Sequence, residues 1–600
     1  MITIHTEFVL MSIVIVISLG IFSQWLAWRI QWPSIVIMSV AGLLIGPIIG
    51  LINPQEALGD LYSPIISLAV ALILFEGSTS LDVRELKGIS KSVSRIVTIG
   101  TFIAWISGSL AAHFIAGLSL EIAFIIGGLF VVTGPTVIIP LLRQAKLTSR
   151  VSSVLKWEGI IVDPIGPLLA LFAYEIIKIT SLESFSYHDF IPFFGDALLA
   201  VIVGIVIGII VSFLAGKGWF PEYLKSPITF CFVLICFTIG ESIMHETGML
   251  AVTVMGLTLA RTKKYVHSIS GITHFMENIS VMLTSTVFIL LTASLTRETI
   301  LEIFTWPILA FVLVMLFVVR PLSIWVSTIG TEMTVKERTL VGWIAPRGIV
   351  ALTVSGYFAG LLLEDGYPNA TVLTSLTLAL VFITVCAHGF SIGPIAKKLG
   401  LANTESTGVV MVGASSFSIA LAKHLKEMGT PVLITDTSNS RLDEANRLGI
   451  ATYNGEILSE QSEFDIDMTP YDIILSMTGD AAYNALVCQS YIPEFGYKNI
   501  FALPNKTQKA QDNEIPHSIK ANLLFGKEDT FTELNKKINI GYTIKNFEIH
   551  EKKTVQKDEL SINGSPLCIK KKNGNIVFVT FKEKLNLDVG DQLIALVLKE

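Results

Sequence analysis

The chain has 600 residues, of which 52% are hydrophobic and only 15% are charged, and its formal net charge is −6. This composition is typical of a polytopic membrane protein that carries a soluble part. The five cysteines are scattered without a CxxC pair, which argues against a disulfide framework and a zinc site.

Apolar windows long enough to cross a bilayer occur thirteen times in the first 400 residues. They cover approximately 8–28, 34–53, 63–79, 93–116, 121–142, 153–177, 191–215, 226–243, 247–260, 272–295, 304–327, 339–361 and 371–395. The junction of the eighth and ninth windows is crowded by Glu241, His245 and Glu246. The sequence therefore predicts a membrane domain over residues 1–400 with about thirteen helices.

Basic residues predict the orientation of these helices. If the N-terminus lies outside, the cytoplasmic connections hold fifteen Lys and Arg residues, and the opposite connections hold only Lys178 and Arg297. This asymmetry follows the positive-inside rule. It predicts a multi-pass protein of a bacterial-type inner membrane, whose C-terminal part lies in the cytoplasm behind Lys397 and Lys398.

Two carboxylates lie in the apolar stretch WEGIIVDPIGP, residues 157–167. Glu158 and Asp163 are costly at membrane depth, so such residues mark ion or proton paths by default. Pro164 and Pro167 lack N–H groups and leave two carbonyls without helical partners. An Asp beside free carbonyl oxygens offers a bare cation the oxygen ligands that replace its water. Glu158 lies five residues before Asp163 and needs its own partner, for which Arg347 is the candidate.

Two apolar helices are expected to be broken in mid-membrane. The sequence Thr133-Gly134-Pro135 interrupts the fifth window and Pro346 interrupts the twelfth. These are corresponding positions if windows 1–6 and 8–13 are inverted repeats. Paired broken helices in the two halves are a pointer to the binding site of a transporter.

Several motifs resemble those of the cation:proton antiporter family of bacterial sodium/proton exchangers and their animal relatives. The motifs are LFEGSTSLDVRELK (74–87), TGPTV (133–137), WEGIIVDP (157–164), VVRPLSIW (318–325) and APRGIVAL (345–352). The resemblance covers the membrane half in order. It implies a thirteen-helix inverted-repeat fold, a homodimer, and an elevator-like movement of a core bundle. It also implies monovalent cations and protons as substrates, and no nucleic-acid partner is expected.

The resemblance assigns roles to individual residues. Asp163 matches the ion-binding aspartate, which would hold the cation together with Thr133 of the broken helix. Glu158 and Arg347 match a buried ion pair, and Glu76 matches an acidic residue of the third span. Arg320, beside Pro321, is expected to cap an interface.

Two departures from the family pattern lie next to this site. The chain has Val162 where the family usually has Asn, and Gly134 where it usually has Asp. Cation selectivity therefore does not carry over from relatives, and sodium is favoured with potassium as the alternative. A single titratable aspartate predicts exchange of one proton for one cation, hence electroneutral antiport. An ion channel gated by the cytoplasmic domain and a non-transporting sensor remain as alternatives, although no TVGYG-like filter is present.

The last 200 residues read as a soluble regulatory part. Residues 401–407 are a predicted linker, 408–525 a Rossmann-like domain of alternating strands and helices, and 526–600 a small α+β unit. The two domains resemble the RCK or TrkA-N type that regulates potassium channels and transporters, with the GDQL turn at 590–593 as the local match in the smaller one. No substrate domain accompanies this fold, so an enzyme is not expected.

A candidate nucleotide site follows from the first strand–turn–helix unit. Gly413 and Asp436 occupy the positions that bind phosphate and ribose in dinucleotide folds. Ser415 and Ser418 stand in place of the second and third glycines, and the Cβ of Ser415 obstructs a pyrophosphate. Thr478 and Asp480 end another strand and are expected to line the same crevice. Transport requires no cofactor; a regulatory ligand would be NAD or an adenine mononucleotide.

Overall fold

The computed structural model describes most of the chain. The described residues are 2–30, 32–145, 147–181, 190–262, 270–367, 370, 372–402, 408–466, 468, 470–504, 522–526, 528–550, 553–555, 564–572, 574–580 and 585–598. They fall into two compact units, Met1–Ala402 and Asn403–Glu600. Residues 403–407 of the predicted linker lie outside the described residues.

The first unit contains thirteen successive helical spans within its described residues. Spans 1 to 13 are Ile2–Ile30, Ser34–Leu43 with Leu44–Ile48, Pro54–Leu58 with Gly59–Leu61 and Tyr62–Thr79, Ser90–Arg95 with Ile96–Gly100 and Thr101–Phe114, Leu120–Leu129 with Pro135–Ala145, Ser149–Ser181, Phe190–Gly216, Lys225–Ile243, Thr247–Thr262, Ser270–Ala293, Trp306–Val314 with Met315–Val319 and Arg320–Ser327, Val335–Trp343 with Ile349–Glu364, and Val372–Leu399. Short helical turns in the connections are Val83–Leu86, Glu222–Leu224 and Arg297–Ile303.

Nine of these spans are helices long and apolar enough to cross a membrane, counted over the described residues. The other four, which bring the number to thirteen, are the short spans 2 and 9 and the interrupted spans 5 and 12. Each span overlaps one apolar window of the sequence, so the predicted polytopic helical fold is confirmed.

The two predicted interruptions are present. Span 5 stops at Leu129 and restarts at Pro135, and span 12 stops at Trp343 and restarts at Ile349. Proline has no N–H to donate and disfavours the helical conformation of the residue before it, so it suits the start of a helix and ends the preceding one. Both interruptions expose backbone groups in the membrane, which is tolerated only where protein or a cavity surrounds them.

Spans 4 and 11 each contain a π-helical turn, Ile96–Gly100 and Met315–Val319. A π-helical turn adds one residue to the helical repeat and redirects the side chains that follow it, and such turns are frequent at functional sites. In span 11 the residue that follows the turn is Arg320. Residues of both turns line the same small cavity.

The second unit begins with a parallel sheet. Its strands are β1 Gly408–Val412, β2 Val432–Asp436, β3 Ala451–Asn454, β4 Tyr471–Ser476, β5 Ile500–Ala502 and β6 Asn522–Leu523. The order is β3-β2-β1-β4-β5-β6 with every pair parallel, which confirms the predicted Rossmann-like fold. The helices are Ser416–Glu427, Asn439–Arg447, Glu460–Asp465, Ala481–Phe495 and Tyr497–Asn499. Strand order reverses between β1 and β4, the place where such sheets bind ligands.

The remainder of the second unit is the predicted small α+β part. After the helix Phe531–Asn539 come β7 Tyr542–Glu548, β8 Lys553–Val555, β9 Gly564–Lys570, β10 Ile576–Phe578, β11 Leu585–Leu587 and β12 Gln592–Leu598. An antiparallel sheet has the order β10-β9-β12-β7, and β8 pairs with β11. Phe501 of β5 lies 5.9 Å from Phe578 of β10 between ring centroids, so the two sheets share one apolar core.

Candidate functional site

Asp163 lies in the middle of span 6, completely buried. The helix Ser149–Ser181 runs through Pro164 and Pro167 without interruption. Both carboxylate oxygens of Asp163 are buried and have no hydrogen-bond partner among the described residues. Burying an unpaired, ionised carboxylate in an apolar environment costs roughly several kcal/mol of free energy unless the carboxylate takes up a proton or a cation. The arrangement therefore suits a residue that is always occupied by one of the two.

The break of span 5 lies against the same helix. Gly166, three residues after Asp163 and thus on the same face, faces Val132: a Cβ at Gly166 would stand 2.1 Å from Val132 Cγ2 and 3.1 Å from the carbonyl oxygen of Gly128. Thr133 follows Val132, is fully buried, and its hydroxyl has no partner within the described residues. Any side chain at Gly166 would require Val132 to shift, so the interruption of span 5 packs closely on the turn that carries Asp163.

Arg347 connects the two interruptions. It lies between Trp343 and Ile349 in span 12, is 4% exposed, and donates through Nη1 to the carbonyl oxygen of Val131 at 3.0 Å and to that of Val132. Both carbonyls belong to the interruption of span 5, between Leu129 and Pro135. The backbone N–H of Arg347 donates to Thr384 Oγ1 at 3.1 Å. The Arg347 guanidinium thus places a positive charge on backbone carbonyls of the span 5 interruption from within the interruption of span 12.

The predicted pairing of Glu158 with Arg347 is wrong in this structure. Glu158 instead accepts two hydrogen bonds from Arg320, at Oε1 from Nη1 and at Oε2 from Nη2 at 2.9 Å, and both side chains are buried. Arg320 Nη2 also donates to the carbonyl oxygens of Val341 and Ile344, at 2.9 and 2.8 Å. Arg320 therefore holds span 6 against the end of the first half of span 12.

The sequence predicts only that Arg320 caps an interface, and it does not identify Glu158 as the carboxylate partner of Arg320. The signal was present in the sequence: a second guanidinium in an apolar run also requires an acidic partner. Two arginines and one available glutamate leave the choice open from sequence. In the structure Arg347 donates to the carbonyls of Val131 and Val132 in the interruption of span 5. Arg320 is the guanidinium that donates to Glu158.

A small cavity joins these groups. Glu158, Val162, Arg320 and Arg347 line it together with residues of the π-helical turn Ile96–Gly100. Val162 is one of the two positions at which the sequence departs from the family pattern, and it lines the cavity with an apolar side chain together with Arg320 and Arg347. Asp163, the next residue, is not among the residues that line this cavity.

Glu76 is in a different environment from Asp163. It lies near the end of the span 3 helix, is only partly buried, and Ser280 Oγ of span 10 donates to its Oε2 at 3.4 Å. The Glu76 carboxylate is partly exposed and has a hydroxyl partner, so it has less need of a proton or a cation than the buried carboxylate of Asp163. Its predicted role in transport stays a prediction.

The predicted nucleotide residues do gather at the carboxyl edge of the parallel sheet. Gly413 has φ +104°, and a Cβ there would lie 2.9 Å from Thr478 Cγ2. Asp436 is buried at the end of β2, and its Oδ2 accepts the N–H of Ala414 at 2.9 Å. Asp480 caps the helix Ala481–Phe495 by accepting the N–H groups of its first residues. These carboxylates are thus already used by the backbone.

Comparison with known proteins covers both units. The family model described as sodium/hydrogen exchanger, transmembrane, matches residues 13–398, and the TrkA-N domain model matches residues 409–514. The second match agrees with the parallel sheet described above.

Individual relatives match the membrane unit at low identity. The Na(+)/H(+) antiporter NhaH of Halobacillus dabanensis is 22% identical, over 66% of this chain and 99% of that protein. The K(+)/H(+) antiporter NhaP of Alkalimonas amylolytica is 23% identical, over 65% of this chain and 66% of that protein. A solved structure of the sodium proton antiporter MjNhaP1 from Methanocaldococcus jannaschii has a TM-score of 0.58 at 22% identity and covers 66% of this chain and 99% of that one. This likeness shows the fold.

Proposed function

Because the chain belongs to the sodium/hydrogen exchanger family, we propose that it exchanges a monovalent cation for protons, with Asp163 as the shared site. The observation that carries this proposal is the completely buried carboxylate of Asp163, whose two oxygens have no partner among the described residues. A proton and a cation cannot both neutralise one carboxylate. Their competition couples the two fluxes in opposite directions, provided that the site opens to one side at a time.

The cation would be held by few protein groups. Asp163 supplies the charge, and carbonyls of the broken span 5 supply further oxygens. The Thr133 hydroxyl is buried and has no hydrogen-bond partner within the described part of the chain. Val132 precedes Thr133 and packs on Gly166, which supports placing Thr133 at the same site. Water would complete the shell, since Val162 and Gly134 contribute no polar side chain.

The charges support electroneutral exchange. Glu158, Arg320 and Arg347 together carry one net positive charge, and ionised Asp163 brings the sum to zero. A bound proton and a bound monovalent cation each raise this sum by one, so both loaded states carry the same charge. A 1:1 exchange therefore moves no net charge, and the membrane potential should not drive it.

Glu158, Arg320 and Arg347 act as positioning residues in this proposal. They join span 6 to both broken helices through the contacts described above, so the site can move as one body. This rigidity suits an elevator-like movement of the core, which the proposal adopts together with a homodimer.

Sodium is the favoured cation, and potassium is the alternative. The relatives include proteins named as Na(+)/H(+) and as K(+)/H(+) antiporters. Val162 and Gly134, the neighbours of Asp163 and Thr133 in the chain, stand where the family usually has polar side chains, which weakens any preference carried over from either group. Sodium is favoured here because the family model that matches residues 13–398 is described as sodium/hydrogen exchanger.

Flux measurements test the proposal. The purified protein would be placed in liposomes with an internal pH dye, a proton gradient imposed, and Na⁺, K⁺ and Li⁺ added in turn, with and without a clamped membrane potential. We expect dissipation by Na⁺ that is insensitive to the clamp. No dissipation with any cation would favour a sensor, and dissipation that depends on the clamp would contradict electroneutral exchange.

The second unit is proposed to regulate transport from the cytoplasmic side of a bacterial-type inner membrane, without a required cofactor. Its fusion to the membrane unit supports this role. Deleting residues 405–600 should change the rate or the activating pH of exchange in the same liposomes. Identical rates and pH profiles would contradict a regulatory role and leave the transport proposal intact.

A further inference from the structure

The turn between β1 and the helix Ser416–Glu427 has the geometry of a phosphate-binding turn, but its amides are engaged. Ala414 N–H donates to Asp436 Oδ2 at 2.9 Å, and Ser415 N–H donates to Ser418 Oγ at 2.7 Å. Ser418 N–H donates to Ser415 Oγ at 3.2 Å. In dinucleotide folds the N–H groups at this helix start bind the pyrophosphate. Here two serine hydroxyls at the second and third glycine positions satisfy them reciprocally, as in a capping box.

A fourth amide is taken by a residue far along the chain. Phe417 N–H donates to Asn535 Oδ1 at 3.0 Å. Asn535 lies in the helix Phe531–Asn539, which precedes the small antiparallel sheet. Its Nδ2 donates to the carbonyl oxygen of Phe531 at 2.8 Å, which fixes the side chain with its oxygen toward Phe417.

The same helix also covers the second strand of the crevice. A Cβ placed on Gly479, just after β4, would lie 3.4 Å from Phe531 Cδ1. Phe531 and Asn535 are four residues apart and therefore share one face of their helix. That face spans the carboxyl ends of β1 and β4, the place where a doubly wound sheet binds the pyrophosphate.

The ribose position is engaged as well. Asp436 Oδ1 accepts the N–H of Ser438 at 2.8 Å, Oδ2 accepts that of Ala414, and Arg441 Nη1 lies 3.4 Å from Oδ2. A ribose would have to compete with backbone donors that also define the turn. The residues present therefore do not fit a bound dinucleotide in this conformation.

We infer that the helix Phe531–Asn539 takes the place of nucleotide phosphates on this turn, so that the soluble unit functions without a bound nucleotide. Two serine hydroxyls and one asparagine carbonyl supply the acceptors that phosphate oxygens supply in dinucleotide-binding folds. A phosphate that binds the turn would have to displace these three acceptors. The serine hydroxyls and Asn535 would then lose their hydrogen bonds, and the phosphate would lose its hydration at the same time. The inference stands apart from the transport proposal, because it concerns contacts within residues 408–600 only.

Nucleotide binding by the full-length protein in detergent tests the inference directly. NADH is followed by its fluorescence, and NAD⁺, ATP and AMP by isothermal titration calorimetry. We expect no saturable binding of any of them at concentrations up to about 1 mM, the weak end of the affinity scale. Saturable binding of any one of the four, lost on Asp436→Ala, would overturn the inference.

Hydrogen exchange tests the role of Asn535 without relying on a negative result. Asn535→Ala should accelerate exchange of the Phe417 amide roughly two- to tenfold, as expected for loss of one hydrogen-bond acceptor. Asn539→Ala is the matched control, since Asn539 is exposed at the end of the same helix. Unchanged exchange at Phe417 in Asn535→Ala, or equal acceleration in both variants, would show that the helix does not hold the turn.

Discussion

The partner of Glu158 can be identified by a double-mutant cycle. Breaking a buried ion pair by removing one member costs about 3–5 kcal/mol, because the other charge stays buried and unpaired. Arg320 donates to both oxygens of Glu158 and also to the carbonyls of Val341 and Ile344. Arg320→Met should therefore destabilise more than Glu158→Met, by the additional cost of about 1–3 kcal/mol for the two carbonyls.

The double variant should regain most of this loss. With both charges removed, about 1–3 kcal/mol remains for the carbonyls at the end of Val335–Trp343. The coupling energy between Glu158 and Arg320 should thus reach about 3 kcal/mol or more. The same cycle with Arg347→Met should give a coupling below about 1 kcal/mol, since Arg347 bonds to backbone carbonyls instead.

Unfolding of the membrane unit can be followed by tryptophan fluorescence in detergent micelles. All nine tryptophans lie within residues 1–402, so the signal reports on this unit alone. Free energies would be taken from denaturant titrations of the wild type, the single variants and the two double variants. A larger coupling for Glu158 with Arg347 than with Arg320 would refute the assignment of the pair.

Other predictions concern packing, cation affinity and the pH dependence of stability. Gly166→Ala should lower the unfolding free energy by about 1–3 kcal/mol and slow exchange, because its Cβ would overlap Val132; wild-type stability and flux would contradict the close packing. Thr133→Ala should weaken the apparent cation affinity about fivefold, and Thr133→Ser should retain it, in concentration series of the flux assay; equal affinities would remove Thr133 from the site. Burial by itself would raise the pKa of the Asp591 carboxyl. The Lys571 ammonium 2.6 Å away and the backbone N–H of Asp588 have the larger, opposite effect, and they hold this pKa below its ordinary value. A carboxyl with a lowered pKa stabilises the folded state above its ordinary pKa of about 3.9 and loses that contribution as the pH falls. Asp591→Asn should therefore speed hydrogen exchange of β12 at neutral pH and not in acid; a difference that persists in acid would contradict the ion pair.

Much of the membrane unit could be predicted because its signals are local. Apolar length predicts a span, proline marks a break, and the cost of a carboxylate in an apolar helix singles out Asp163. The breaks at Thr133 and Pro346 follow from residue type alone. The alternation of strands and helices after Gly408 likewise indicates a parallel sheet.

The errors and omissions concern contacts between distant segments. Glu158 and Arg320 are 162 residues apart, and the sequence offers two guanidinium groups for one carboxylate. The choice depends on where the interruption of span 5 places the carbonyls of Val131 and Val132, which only packing determines. Asn535 and Phe417 are 118 residues apart, so the serines of the turn suggested a weakened phosphate site but not what replaces the phosphate.

The shared site at Asp163 is tested most directly by Asp163→Asn in the liposome assay. The substitution keeps the size of the side chain and removes the charge for which proton and cation compete. Asp60→Asn is the matched control, because Asp60 is an exposed aspartate of the same unit. We predict that cation-driven dissipation of the proton gradient disappears in Asp163→Asn, at unchanged insertion, and persists in Asp60→Asn. Cation/proton exchange retained by Asp163→Asn would contradict the account.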